Sequence, residues 1–394
     1  MQQNFPTVKR RERDLRLDFF RGIAMYIIFV AHIPRNAWTG WIPARFGFSD
    51  ATEIFVFCSG MASAIAFGSA YARKGWMMGT ARVLYRCWQV YWAHIALFFF
   101  VLMYLSAIDV YGDFEKIYIN TLNLSHFIKD PSTNIVGLFS LTYVPNYFDI
   151  LPMYLVILAM MPIVIALANL SHWITAVCIV SLWLIANLGL LQLPAEPWSD
   201  RQWFFNPFGW QLLFFTGFAL MRGWLPTPPI SILLIISAIA FVVLSAPFGS
   251  WKVYLWVNAL WPDLGDLIRP VWEPIKAFRS KTELGILRYI HFLSLAYLAW
   301  VAVGPSGARL VSKGKGIVAQ IWGITLKFIT KVGQQSLVVF VFSMALARII
   351  GFFFDQLGRN FLTITLGNLI GFAIITCVAY FASWFKSAPW RSKV

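Results

Sequence analysis

The chain has 394 residues, of which 59% are hydrophobic, 18% aromatic and only 12% charged. Soluble domains carry roughly twice that share of charged residues, so this composition excludes an ordinary soluble globular protein. The net charge of +15 then reflects the orientation of the chain in a bilayer. We predict no nucleic-acid partner.

Apolar segments recur along the chain with few interruptions, and a helix that crosses a bilayer needs roughly 17–25 such residues. They predict an all-α integral membrane fold with about ten transmembrane helices, in a single domain over residues 1–394. The first segment contains Arg21 and His32 and follows a charged stretch, so we expect a retained helix rather than a cleaved signal peptide. The predicted helices lie near 17–34, 51–71, 84–106, 148–169, 173–191, 207–222, 230–247, 286–304, 334–354 and 361–384.

The segments that connect these helices alternate in charge. If the N-terminus is inside, the cytoplasmic segments hold most of the Lys and Arg, and Glu12, Asp14 and Asp18 are their only acids. The positive-inside rule therefore predicts that both termini are cytoplasmic. The cytoplasmic cations are Lys9, Arg10, Arg11, Arg13, Arg16, Arg73, Lys74, Arg82, Arg86, Arg222, Arg309, Lys313, Lys315, Lys327, Lys331, Lys386, Arg391 and Lys393.

Two outer segments are long, and one inner segment is amphipathic. Residues 107–147 contain a candidate interfacial helix around 113–128, and residues 248–285 are rich in Trp and Pro. The segment 317–331 is apolar on one face and is predicted to lie along the inner membrane surface. The alternative is an eleventh span, which would put the C-terminus outside. The basic residues Lys327 and Lys331 argue against that alternative.

The first helix carries ionisable residues, which are costly inside a membrane and by default indicate function. Arg21 and His32 are 11 residues apart, which places them within about 20° of one helix face and roughly 16 Å apart along the axis. Asp18 lies within about 40° of that face. The alternative is that Arg21 reaches the inner headgroups and His32 is a packed interfacial histidine.

Glu53 begins the second helix on the outer side, beside Asp50. A carboxylate there could orient the outer histidine and raise its basicity. We therefore group Glu53 with His32 and Arg21 as candidate catalytic residues. The small residues that follow Glu53 are better explained by close helix packing.

The third helix opens with a cytoplasmic basic cluster of Arg73, Lys74, Arg82 and Arg86. Arg82 and Arg86 are i,i+4 neighbours, and arginine's planar fork matches phosphate oxygens. The cluster is a candidate binding site for the phosphates of a cytosolic ligand. The alternative is a topological anchor that binds anionic lipid.

The sequence resembles the acyltransferase-3 superfamily of membrane O-acyltransferases, whose first helix carries an Arg, ten residues and then a His, as Arg21 and His32 do here. The basic start of the third helix, with Arg82 and Arg86, is a second point of likeness, although the dense triple arginine usual there is absent. Further segments resemble the OpgC-like branch, which succinylates osmoregulated periplasmic glucans. They are RDLRLDFFRG (13–22), GFSDATEIFVFCSG (47–60), PNYFDILPMYLV (145–156), NPFGWQLLFFTGFAL (206–220), KTELGILRYIHFLSLAYLAW (281–300) and GQQSLVVFVF (333–342).

The resemblance implies a multi-pass protein of the bacterial inner membrane, with an acyl-CoA donor in the cytosol and a glucan hydroxyl as the acceptor outside. An imidazole with a pKa near neutrality could accept the hydroxyl proton as the thioester is attacked, and His32 is the candidate. A covalent acyl-histidine is the alternative. Succinyl-CoA is the expected donor, and no permanently bound cofactor is expected.

Several outer residues are candidates for binding the acceptor or the succinyl group. A succinyl group carries a free carboxylate, so a cation near the reaction centre is needed, and Arg288 is the candidate. The alternatives are helix capping for Asn146 and Asp149 and headgroup contact for Arg288. The full candidate set is Asn146, Asp149, Lys281, Arg288, His291, Trp210 and Gln211.

Other functions remain open at this point. An O-acetyltransferase for another envelope polysaccharide would keep the fold and would not need a carboxylate-binding Arg288. A polysaccharide transporter would need internal repeats and charges in mid-membrane, and the sequence shows no repeat. A non-enzymatic scaffold for glucan synthesis and a homo-oligomer also stay open. The four cysteines have no metal-ligand spacing, so no metal site is predicted.

Overall fold

The computed structural model describes residues 14–391, and the chain within this range forms helices and no β-strand. The expected all-α fold is thereby confirmed. The predicted cytoplasmic residues Lys9, Arg10, Arg11, Glu12, Arg13 and Lys393 lie outside the described range.

Each of the ten segments predicted to cross the membrane is helical over most of its length. Helix α1 is Leu15–His32, α2 is Ala51–Ser63 and α3 is Ser69–Tyr111. The short helices α4 and α5 are Ser125–Lys129 and Pro131–Ser140. The next helices are α6 (Ile150–Leu170), α7 (His172–Asn187), α8 (Pro207–Arg222), α9 (Ile232–Gly249), α10 (Trp251–Leu260) and α11 (Pro262–Ile268). The last are α12 (Ile286–Val303), α13 (Ile317–Gln334), α14 (Ser336–Leu357) and α15 (Phe361–Lys386).

Six helical segments of the described chain are long and apolar enough to cross a membrane, which fits a multi-pass membrane protein. Helices α7 and α8 fall short at 16 residues each, and α1 carries Arg16, Asp18 and Arg21. Ten spans and cytoplasmic termini therefore stay predictions. The six segments are Ala51–Tyr111, Ile150–Leu170, Ile232–Gly249, Ile286–Val303, Ser336–Leu357 and Phe361–Lys386.

The 61-residue segment Ala51–Tyr111 contains two of the predicted helices. A π-helical turn, Ala64–Gly68, joins α2 to α3. Further along, Gly75 has φ +78°, a conformation that glycine adopts without steric strain and other residues avoid. The break at Gly75 separates the apolar arm that begins with α2 from the arm that ends at Tyr111.

Two predicted amphipathic segments differ in outcome. The segment 317–331 is helical, as α13, and its last turns pack on α1. Its position along the inner membrane surface stays a prediction. The single helix expected around 113–128 is wrong: a 3-10 turn, Tyr118–Asn123, precedes the short α4. Leu122 and Asn123 have positive φ, which ends one helical turn before the next begins.

The core is organised around α1 and α2. Helix α1 packs against α2, α13 and α14, while α2 packs along α8. The crossing of α2 and α8 is close because each helix presents a glycine to the other. A Cβ on Gly60 would lie 1.9 Å from the carbonyl oxygen of Phe214, and a Cβ on Gly217 would lie 2.4 Å from that of Phe57. Small residues permit such backbone contact between membrane helices.

Substitution of Gly60 by alanine is expected to separate α2 from α8. The new methyl group meets backbone, which cannot rotate away, so we expect Gly60→Ala to destabilise the protein by about 1–3 kcal/mol. The measurement is thermal unfolding of the detergent-solubilised protein. Gly323→Ala is the control, because no atom lies within 4 Å of a Cβ there. Equal unfolding temperatures for the two variants would contradict the packing argument.

Candidate functional site

His32 is the last residue of α1, and one of its ring nitrogens is already engaged. Nδ1 lies 2.6 Å from the carbonyl oxygen of Ile28. A carbonyl oxygen can only accept, so Nδ1 carries the proton and donates it to Ile28. In the neutral ring Nε2 then holds a lone pair, and no hydrogen bond from a described residue reaches it. This is the protonation state that a general base requires.

Tyr147 and Arg348 lie beside His32. The ring of Tyr147 meets the imidazole edge to face, with centroids 5.7 Å apart. The guanidinium carbon of Arg348, from α14, lies 5.2 Å from the centre of the same tyrosine ring. The charges of Arg348, Lys281 and Asp50 all act on His32, so these side chains gather at the His32 end of the helix bundle.

The start of α2 forms a capping box at this end. Asp50 Oδ1 accepts the Thr52 N–H at 2.7 Å, and Glu53 Oε2 accepts the Asp50 N–H at 2.8 Å. The remaining oxygens bind cations: Asp50 Oδ2 lies 2.5 Å from Lys281 Nζ, and Glu53 Oε1 lies 2.6 Å from an Arg288 guanidinium nitrogen. Glu53 has 0% and Arg288 12% of the side chain exposed. Glu53 is therefore paired with Arg288 rather than with His32.

Asp50 stays ionised because of these cations. Burial raises the pKa of its carboxyl, but Lys281 and Arg288 outweigh burial and hold that pKa well below its usual range. A negative charge at a helix N-terminus also interacts favourably with the helix dipole. Two carboxylates and two cations therefore form a neutral, largely buried cluster between the start of α2 and the start of α12.

His291 packs against this cluster from α12. Its Nδ1 lies 2.7 Å from Ser49 Oγ, while Nε2 is buried with no partner in the described part of the chain. A Cβ on Gly47 would come within 2.3 Å of Nε2. The segment that precedes α2, with Gly47 and Ser49, therefore packs directly against the His291 ring.

The other predicted acceptor residues differ in exposure. Asn146 is half-buried, next to Tyr147. Asp149 is buried and accepts the Phe204 N–H at 3.0 Å instead of capping α6. Burial raises the pKa of Asp149 to about 6.

Trp210 and Gln211 are buried in α8 behind the cluster. The Trp210 indole N–H donates to the Lys281 carbonyl at 2.9 Å. The Gln211 amide donates to the Ile179 carbonyl at 2.8 Å. Both side chains therefore hold neighbouring backbone, and Trp210 supports the segment that carries Lys281.

The opposite end of α1 holds Arg21. Its guanidinium donates to Ser336 Oγ at the start of α14, and its Nε is buried without a partner among residues 14–391. Asp18 is buried one turn earlier and accepts from the Gln334 amide at 3.2 Å. The charge of Arg86 also acts on Arg21, which places the part of α3 around Arg86 near the Arg21 end.

The remaining basic cluster lies on α3. Arg73 bonds to Ser69 on its own helix, at 3.2 Å to the backbone carbonyl. Lys74 and Arg82 are exposed, and Arg86 donates to Gln89 at 3.1 Å. These cations meet no carboxylate in the described chain, so an anionic ligand could bind them.

The structure brings most of the predicted residues to one or the other end of α1. It also adds two residues that the sequence did not single out. Arg348 was visible as a charge inside an apolar segment, which is a signal of function in a membrane helix. Tyr147 carried no signal except its place next to Asn146. No group of metal-ligating side chains occurs within residues 14–391.

A family model described as OpgC protein matches residues 13–387. The matched range includes every site residue described above. Comparisons with curated proteins and with solved structures gave no significant match.

Loss of Arg288 is expected to destabilise the protein more than loss of both partners. Arg288→Gln leaves Glu53 buried without its cation, which costs about 3–5 kcal/mol, whereas an uncharged pair of similar shape is tolerated far better. Thermal unfolding of Arg288→Gln, Glu53→Gln and the double variant gives the coupling between the two sites. If the effects of the single variants simply add, the two side chains do not act as a pair.

Proposed function

The chain belongs to the OpgC protein family, a membership that supports a glucan-modifying acyltransferase, and on that premise we propose that it transfers a succinyl group from cytosolic succinyl-CoA to hydroxyls of periplasmic glucans. The protein would lie in the bacterial inner membrane with the His32 end of the bundle facing the periplasm. The observation that carries the proposal is the free Nε2 lone pair of His32, set by the hydrogen bond from Nδ1 to Ile28.

His32 would act as the general base. A glucan hydroxyl oxygen attacks the thioester carbonyl carbon while Nε2 takes the hydroxyl proton. The bond between the carbonyl carbon and sulfur then breaks, and the CoA thiolate leaves and receives that proton from His32. The same lone pair could instead attack the thioester carbonyl carbon first, so that the C–S bond breaks, CoA thiolate leaves and an acyl-histidine forms. The glucan hydroxyl would then attack the acyl carbon, the bond from that carbon to Nε2 would break, and the hydroxyl proton would pass to the thiolate. Both routes require Nε2 to be unprotonated at the start.

The donor would enter from the Arg21 end. Arg21 and Arg86 lie close enough for their charges to interact, and Arg73, Lys74 and Arg82 add positive charge on the same helix as Arg86. Arg73 and Lys74 precede the break at Gly75, whereas Arg82 and Arg86 follow it. A surface of this charge suits the phosphates of CoA. Arg21 and His32 are about 16 Å apart along α1, a distance that part of an extended pantetheine arm would bridge.

The acceptor would approach from the His32 end. Asn146 is half-buried beside Tyr147, which touches His32, so its amide could hydrogen-bond a glucan hydroxyl. Asp149, Trp210, Gln211 and His291 are buried and would support this end from behind. The capped and ion-paired start of α2 would keep the His32 end rigid.

Substitution of His32 by alanine is expected to abolish the modification. General-base catalysis contributes about 10²–10⁴-fold, so glucans from cells complemented with His32→Ala should carry at least about 100-fold fewer succinyl groups than with the wild type. Anion-exchange chromatography and mass spectrometry of the periplasmic glucans measure this. His172→Ala is the matched control, because His172 is exposed and stacks on Trp224 away from the site.

Membrane levels of each variant are measured in parallel. A fully active, membrane-inserted His32→Ala variant would exclude His32 as the base. Acetyl groups in place of succinyl groups with the wild type would support the O-acetyltransferase alternative. Unmodified glucans with the wild type would show that the acceptor is wrong.

A further inference from the structure

Three cations belong to the His32 end of the bundle: Arg348 and Lys281, whose charges act on His32, and Arg288, whose charge acts on Asp50. Two of the three already bind a protein carboxylate. Lys281 is paired with Asp50 and Arg288 with Glu53. Each of these carboxylates also accepts a backbone N–H of the α2 capping box. Arg288, the residue predicted to bind the succinyl carboxylate, therefore has its charge neutralised from within the protein.

Arg348 is the third cation, and it differs from the other two. No hydrogen bond or ion pair reaches its guanidinium from the described residues, and the side chain is half-buried. Its guanidinium carbon lies 5.2 Å from the centre of the Tyr147 ring. An arginine inside an apolar helix without a carboxylate partner is costly, and such a residue by default indicates function.

The position of Arg348 also suits the length of a succinyl group. Tyr147 lies next to both side chains. Its ring centre is 5.7 Å from that of His32 and 5.2 Å from the Arg348 guanidinium carbon, so the guanidinium carbon lies at most about 11 Å from the His32 ring centre. An extended succinyl group separates its two carbonyl carbons by about 4 Å, from ordinary bond lengths. A contact of about 3 Å at each end, as direct attack by Nε2 in the acyl-histidine route requires, brings the total span to roughly 10 Å.

We propose that Arg348 binds the free carboxylate of a dicarboxylic acyl group whose thioester carbonyl lies at His32, and so selects succinyl over neutral acyl groups. This inference rests on the proposed function and assigns the residue that sets its acyl specificity. Guanidinium matches a carboxylate with two parallel N–H···O bonds. Tyr147 holds the guanidinium plane by cation–π contact and leaves its N–H edge for the ligand.

The test compares succinyl-CoA with butyryl-CoA, which has the same chain length and no carboxylate. Equilibrium binding of both to the full-length protein in lipid nanodiscs gives a preference ratio for the wild type and for Arg348→Gln. A hydrogen-bonded charge pair contributes enough to lower that ratio by about 10- to 100-fold in the variant. Arg35→Gln is the control, because Arg35 is 68% exposed and is paired with Asp355.

The transfer reaction is followed in the same samples, so the two proposals can fail separately. An unchanged preference in Arg348→Gln, or no preference in the wild type, overturns the role of Arg348 even if glucan is succinylated. A preference that is lost in Arg348→Gln supports it even if no glucan ester forms, and the proposed function alone then fails. Arg348→Met, apolar and of similar length, replaces the Gln variant if the latter does not fold.

Discussion

The neutral cluster at the start of α2 is the interaction on which the rest of the site depends. Asp50 and Glu53 each serve two partners, a backbone N–H of their own helix and a cation 231 or 235 residues away along the chain. Pairing is necessary because an isolated charge buried in an apolar bundle is very costly. The cluster therefore fixes α12 against α2 and draws Lys281 and Arg288 away from any ligand.

Paired and unpaired charges have different roles in the site. Paired charges at the start of α2 stabilise the fold, whereas Arg348 and the Nε2 atom of His32 keep binding capacity that no described residue uses. Arg21 is an intermediate case, since it binds Ser336 while its Nε stays buried without a partner. A membrane protein retains such groups at a cost in stability, which function must offset.

Hydrophobicity in the sequence predicted the helices well, because a membrane span is specified locally by its apolar length. It predicted the region around 113–128 poorly, since Leu122 adopts positive φ in a turn that no pattern indicated. That Arg82 and Arg86 share a helix face was likewise predictable, because it depends on one helix only. The pairing of Glu53 with Arg288 does not, because it depends on how distant helices pack. Arg348 was detectable as a charge within an apolar segment, but its neighbour Tyr147 comes from another part of the chain.

We propose that an acyl group passes from one end of α1 to the other and reaches a glucan hydroxyl. The most direct measurement uses membrane vesicles in which the Arg21 end faces outward, with glucan trapped inside and labelled succinyl-CoA added outside. We expect labelled succinyl ester on the trapped glucan, and none when the protein is omitted. Label that appears only when donor and glucan are on the same face, or no ester in either arrangement, would contradict transfer along α1.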